Sequence, residues 1–184
     1  RVMRHNVLDD DFRHDLYRQI TLHPGASTRE LRELTGASRG RLRYHLDVLI
    51  REGKVATMDY RNRFRHFARN RRYTTLEKRT FGSLRDETPG AILAHLLRSP
   101  DATQNDIAEE LGLSGPTVFQ HMQQFEAEGI VAVDREERTF RYRLSRGARE
   151  ALNKYQTPSN PPPSSPYPGL ESHLGARGRE VPHE

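Results

Sequence analysis

The sequence contains no cysteine. Disulfides, thiolate metal sites and a cysteine nucleophile are therefore excluded. No apolar run approaches the roughly 18 residues that a membrane span needs, and no signal-peptide pattern opens the chain. Arg1 stands where a methionine would begin a complete reading frame, which leaves room for sequence upstream. Glycine-rich phosphate loops, nucleophile elbows and paired catalytic carboxylates are missing too, so no enzyme is expected. The nine histidines are scattered without a recurring ligand spacing, and neither a metal nor any other cofactor is expected.

Positive charge, by contrast, is abundant and unevenly spread. The 184 residues carry a formal charge of +5 and a pI near 9.8. Residues 1–72 hold 17 Lys/Arg against 9 Asp/Glu, residues 73–156 hold 11 against 13, and the rest 2 against 3. The basic character belongs to the first part, and it favours an anionic partner there.

Shifted by 76 positions, the sequence matches itself without a gap. Gly36 meets Gly112, Ser38 meets Ser114, and His45 meets His121. Glu52-Gly53 meets Glu128-Gly129, and Phe64-Arg65 meets Phe140-Arg141. A period this long exceeds the solenoid range and reads as a duplicated small domain. The segment 157–184 is different. It is rich in Pro, Ser and Gly, cannot bury enough surface to offset its ordering entropy, and is expected to be a disordered tail.

Within the first copy, Phe12, Leu16, Tyr17 and Ile20 recur at helical spacing, and His23-Pro24-Gly25 stops that helix. Asp9-Asp10-Asp11 would place negative charge at its start, where the macrodipole favours it. Ser27 with Glu30 makes a capping box for a second helix carrying Leu31 and Leu34. Ser38 caps a third, with Leu42, Leu46 and Leu49 on one face and Gly53 at its end. The period then changes from 3.6 to 2. Residues 54–60 and 63–69 read as strands around an Arg61-Asn62 turn. The second copy follows suit: helices over 91–98, 104–111 and 115–128, and a hairpin over 130–144 turning at Glu136-Glu137. Further helices are expected over 75–86 and 146–155.

Three helices followed by a hairpin are the winged helix-turn-helix arrangement. LSGPTVFQHMQQFEAEGIVAVDREERTFRYRLS resembles the recognition helix and wing of ArsR-type and MarR-type transcriptional regulators. SRGRLRYHLDVLIREGKV is similar, with His45-Leu46 and Glu52-Gly53 in the matching places. SLRDETPGAILAHLL resembles the first helix of such domains, and the doubled form resembles tandem winged-helix proteins common among archaea. The resemblance covers residues 8–145. It implies a mostly α, α+β fold: a first winged domain over 1–70, a connecting segment over 71–88, a second winged domain over 89–145 and a closing helix over 146–156. The cysteine motif of metal-sensing ArsR proteins is missing from STRELRELTG, so metal sensing does not carry over.

The same resemblance implies sequence-specific binding of double-stranded DNA and transcriptional regulation, with a cytoplasmic, nucleoid-associated location. With the leucines turned inward, Ser38, Arg39, Gly40, Arg41, Arg43 and Tyr44 are candidates to meet DNA. Alternation along the wing predicts Phe64, His66 and Ala68 inside and Arg63 and Arg65 outside. Arg61, Arg63 and Arg65 would then join the helix arginines in one basic surface. In the second copy Thr117, Gln120 and Arg141 are weaker candidates, because Glu136 and Glu137 would repel phosphate and Phe119 stands where Arg43 does. That copy also suits a protein-interaction or homodimer role, and winged helices as interaction modules in larger assemblies are the alternative reading.

Overall fold

The computed structural model describes residues 11–136 and 139–155. Asp9, Asp10, Glu137, Arg138 and the whole tail lie outside the described residues, as do the side chains of Glu136 and Tyr155. Backbone contacts divide the chain into two units, 1–85 and 86–184.

The first unit runs α1 (Asp11–Leu22), β1 (Ala26–Ser27), α2 (Thr28–Thr35), α3 (Arg39–Arg51), β2 (Val55–Tyr60), β3 (Arg63–Ala68) and α4 (Thr75–Leu84). The second runs α5 (Glu87–Arg98), β4 (Ala102–Thr103), α6 (Gln104–Leu111), α7 (Gly115–Ala127), β5 (Val131–Glu136), β6 (Thr139–Leu144) and α8 (Arg146–Tyr155). Each holds one three-stranded antiparallel sheet, ordered β1-β3-β2 and β4-β6-β5. This is the mostly helical α+β architecture that the repeat predicts.

The helix starts follow the capping chemistry. Ser27 and Glu30 form the expected reciprocal box, and Thr103 and Asp106 repeat it in the second unit. Ser38 and Ser114 cap α3 and α7. Two features were not visible in the sequence. The strands β1 and β4 are two residues each, too short to show a period of 2. The helix α5 begins at Glu87 rather than near Ala91. Pro89-Gly90 reads as a break, yet proline is tolerated in a first turn, where its missing N–H would be unpaired anyway.

Leu16 and Ile20 of α1, Leu31 of α2, and Leu42, Leu46 and Leu49 of α3 pack with Ala26, Val55 and Ala68 as the core of the first unit. In the second unit Ile107, Val118, Met122 and Phe125 take the matching positions and are equally buried.

The other face of the first sheet is covered by α4. Phe67 packs on Tyr73, with ring centroids 5.3 Å apart, and Tyr73 meets Phe81 edge-on at 6.0 Å. The Tyr60 hydroxyl and the Ser83 hydroxyl share a 2.7 Å hydrogen bond. Two glycines allow this approach. Gly25, at φ +79°, has the Phe81 backbone 3.2 Å from where a Cβ would stand. A Cβ on Gly82 would lie 2.7 Å from Cδ1 of the buried Tyr60 ring. Gly82→Ala is therefore expected to destabilise the first unit by about 1–3 kcal/mol through overpacking, despite alanine's better helix propensity. Urea unfolding of the full chain checks this, and a stabilised variant would contradict it.

Candidate nucleic-acid interface

The helix α3 turns Leu42, Leu46 and Leu49 into the core, which leaves Arg39, Gly40, Arg41, Arg43, Tyr44, Asp47 and Ile50 exposed. Ser38 serves the helix itself: its Oγ accepts from the Arg41 backbone N–H at 3.3 Å. Gly40 has open space around it. Tyr44 is 61% exposed, with its ring edge-on to His45 at 5.0 Å.

Beside α3 lies a concavity of about 770 Å³ bounded by α2, α3, β2 and β3. Its lining brings together four arginines, Arg29 and Arg32 from α2 and Arg39 and Arg43 from α3. Between them are the apolar side chains of Leu42, Leu46, Ile50 and Phe64. Arg29 holds Glu33 at 2.9 Å, and Arg43 is 3.9 Å from Asp47, the one carboxylate of the lining. Both pairs are exposed helical i, i+4 contacts, which water screens and which are worth little. His66 is in the lining too, with Nε2 2.9 Å from the Thr28 hydroxyl and Nδ1 3.1 Å from the Thr57 hydroxyl. Burial, with the Arg65 guanidinium next to it, pulls this imidazole down to about 4. The ring is therefore neutral near pH 7, and the arginines supply the positive charge of the groove.

The wing departs from the expected alternation. Phe64 is 62% exposed, whereas Arg65 is fully buried and His66, Phe67 and Ala68 are buried with it. The alternation rule assumes one wet face. Here α1–α3 cover one face of the sheet and α4 the other, so consecutive residues are all interior. Arg65 thus does not join an outward basic surface. Its Nη1 lies 3.5 Å from both the Gly25 carbonyl and the Glu30 carboxylate.

The other wing arginines are also placed differently from expectation. Arg63 is exposed but stands opposite Tyr60, on the face of the hairpin toward α4. Arg61 lies over the Tyr60 ring at 4.9 Å, in a turn whose two residues have φ +54° and +57°. Positive φ at both turn positions gives the twist that two-residue hairpins need. Arg41 leaves the helix arginines as well, stacking over Phe12 of α1 at 4.1 Å. Of the six arginines expected to converge, only Arg39 and Arg43 line the groove. Their companions are Arg29 and Arg32, which the sequence reading missed. The available signal was their i, i+3 spacing on α2, with Arg29 in its first turn and Arg32 in its last.

The second unit uses the same framework with other side chains. At the repeat offset, Arg29, Arg32, Arg39 and Arg43 become Asn105, Ala108, Gly115 and Phe119. His66 becomes Tyr142 and Thr57 becomes Val133. Phe119 and Phe140 are 42% and 46% exposed. Thr117 faces its own cap, with Oγ1 2.7 Å from the Ser114 hydroxyl, and Gln120 is exposed. Arg141 is exposed and donates to the Asp101 carbonyl at 3.3 Å. That contact repeats the bond from Arg65 to the carbonyl of Gly25, so this arginine is a structural feature of both copies. Charge diverges in step. Residues 1–85 carry 20 Lys/Arg against 10 Asp/Glu, and residues 86–155 carry 8 against 12.

Among the described residues no helix is long and apolar enough to cross a membrane, and no group of three or more His, Asp or Glu side chains could hold a metal ion. The chain is 30% identical over 125 residues to an uncharacterized HTH-type transcriptional regulator of Methanocaldococcus jannaschii. That match covers 68% of this chain and 31% of the relative, so the chain spans about a third of the relative's length. Among solved structures it is similar to the cadmium metal-sensor CMTR from Mycobacterium tuberculosis, at 30% identity and a TM-score of 0.34, over 39% of this chain and 75% of that one. It is also similar to an ArsR family transcriptional regulator, at 22% identity and a TM-score of 0.37, over 46% of this chain and 87% of that one. A family model for winged helix-turn-helix DNA-binding domains matches twice, at residues 9–56 and 85–132, together just over half of the sequence. With one match falling on each copy of the repeat, the chain belongs to the winged helix-turn-helix DNA-binding family.

Proposed function

We propose that this protein regulates transcription by binding double-stranded DNA, and that its first unit is the reader. The observation that carries this is the four-arginine groove along α3, set against the same place in the second unit, where every one of those arginines is replaced. An α-helix with exposed polar residues in its first turns fits the major groove. Arg39 and Arg43 are the side chains for base edges or flanking phosphates, Tyr44 and Asp47 stand beside them, and Gly40 lets the backbone come close. Arg29 and Arg32 hold phosphates from α2. The similarity to an HTH-type transcriptional regulator supports the regulatory role.

Duplexes selected from a random pool by the full chain test the reading, followed by a salt titration on the selected site. Four phosphate contacts give a slope of log K on log salt near −3.6. Charge reversal in an Arg39→Glu, Arg43→Glu double variant is expected to weaken binding at least tenfold and to flatten that slope by about two. Both side chains are exposed, so folding is unaffected. A protein that enriches no duplex, or a double variant that binds as well as wild type, removes the proposal.

For the second unit a protein-binding role is the reading favoured by its exposed Phe119 and Phe140 and its acidic balance. Thr117→Ala and Gln120→Ala are then expected to leave duplex affinity within about twofold of wild type, because these positions carry no readout.

A further inference from the structure

The groove has a chemical character beyond its charge. Its rim is cationic, but its floor is apolar: Leu42 and Leu46 at the base, with the more exposed Ile50 and Phe64 on either side. Beside that floor, both ring nitrogens of His66 are taken by the hydroxyls of Thr28 and Thr57. Asp47, on the rim, lies beside Arg43. Among the described residues Phe64 is the most exposed large apolar side chain, and it lines this groove together with residues of α3.

A sugar–phosphate backbone matches this arrangement. Phosphates every few ångströms suit cations along a rim, and the C2′ methylene of a deoxyribose is an apolar surface that can lie on leucine, isoleucine and phenylalanine. A ribose in the same place would press its 2′-hydroxyl against the leucine, isoleucine and phenylalanine side chains, which offer it no hydrogen bond, and an unpaired hydroxyl is costly to bury. The 2′-hydroxyl is the group by which proteins tell RNA from DNA at a given position.

We propose that the groove between α2, α3 and the wing seats the backbone of one DNA strand and selects deoxyribose over ribose, with Phe64 and Ile50 as the discriminating side chains. This rests on the duplex-binding reading above. In the second unit the floor keeps Phe140, at the place of Phe64, but the arginine rim is gone, so that unit has no comparable seat for a backbone.

The test is a ribonucleotide scan. The full chain is bound to the duplex selected above, in which single deoxynucleotides are replaced in turn by ribonucleotides, and affinity is read by fluorescence anisotropy. Wild type is expected to bind about fivefold or more weakly when the ribose falls at one or two consecutive positions, and equally elsewhere. Phe64→Ser and Ile50→Asn, both at exposed positions, are expected to abolish that penalty while still binding the all-deoxy duplex. A penalty that persists in both variants would come from the duplex and not from the groove, and would overturn the proposal. A flat scan with intact DNA affinity would overturn it as well, and would leave duplex binding standing. No affinity for any selected duplex would take away both.

Discussion

Arg65→Ala is expected to cost the first unit about 3 kcal/mol of folding stability. The guanidinium is fully buried, 3.5 Å from Glu30 Oε2 and 3.5 Å from the Gly25 carbonyl. Breaking a buried pair by removing one partner typically costs about 3–5 kcal/mol, because the remaining charge is left in a poor solvent. Two features hold the expectation at the lower end of that range. Glu30 Oε2 still accepts from the Ser27 backbone N–H at 2.8 Å, and Arg85 remains 4.0 Å from Oε1. Urea unfolding of the full chain measures the cost, and amide exchange at Leu31 and Phe67 assigns it to the first unit. An Arg63→Ala control removes an exposed wing arginine and is expected to leave stability unchanged. If Arg65→Ala were as stable as wild type yet bound duplex tenfold more weakly, the side chain would be a DNA contact after all.

Acid is expected to unfold the first unit through His66. Its folded imidazole is pulled to about 4 from an ordinary 6.5, by burial first and by Arg65 second. The sign follows from which state takes up the proton. Below pH 6.5 the unfolded chain binds a proton that the folded ring refuses, so stability is complete above that pH and falls as pH drops toward 4. At 1.36 kcal/mol per unit, this lowering corresponds to about 3 kcal/mol lost across the window. His23 adds to the loss in the same direction; burial and Arg85 pull its ring to about 4 as well. The second unit has Tyr142 and Ser99 at these two positions. Its His95 is also lowered by burial, against the opposing pull of Glu110, and contributes a smaller loss. Urea midpoints followed between pH 7 and pH 4, with amide exchange to separate the units, are expected to show the first unit failing first. His66→Gln keeps a hydrogen-bonding side chain that does not titrate, and is expected to flatten the dependence. An unchanged pH profile in that variant would assign the acid sensitivity elsewhere.

These two side chains also mark where the sequence was readable and where it was not. The caps at Ser27, Ser38 and Ser114, the leucine stripe of α3 and the 76-residue offset all announced the framework, because each depends on neighbours within a few residues or on the chain's likeness to itself. The orientation of β3 depends on α4, which begins seven residues after the strand ends and lies across its back. A strand with both faces covered loses the alternation from which inside and outside are read. The run Arg65-His66-Phe67-Ala68 therefore gave no warning that its arginine was interior. The site suffered for the same reason. Arg39 and Arg43 were legible because α3 has one wet face, whereas Arg41 stacks on Phe12 from a helix about 30 residues earlier in the sequence. Arg29 and Arg32 become companions of α3 only through the turn between helices, which periodicity does not register.

The hydrogen bond between Tyr60 and Ser83, with Gly82 lying flat on the tyrosine ring, fastens the far end of β2 to α4, one residue before the hairpin turn. A wing anchored so close to its tip has little freedom to lose when it meets a partner. Association then incurs a smaller ordering penalty than a loose hairpin would, and rigidity of this kind lengthens the lifetime of a complex more than it quickens encounter. Loosening the anchor with Tyr60→Phe would thus register as faster dissociation.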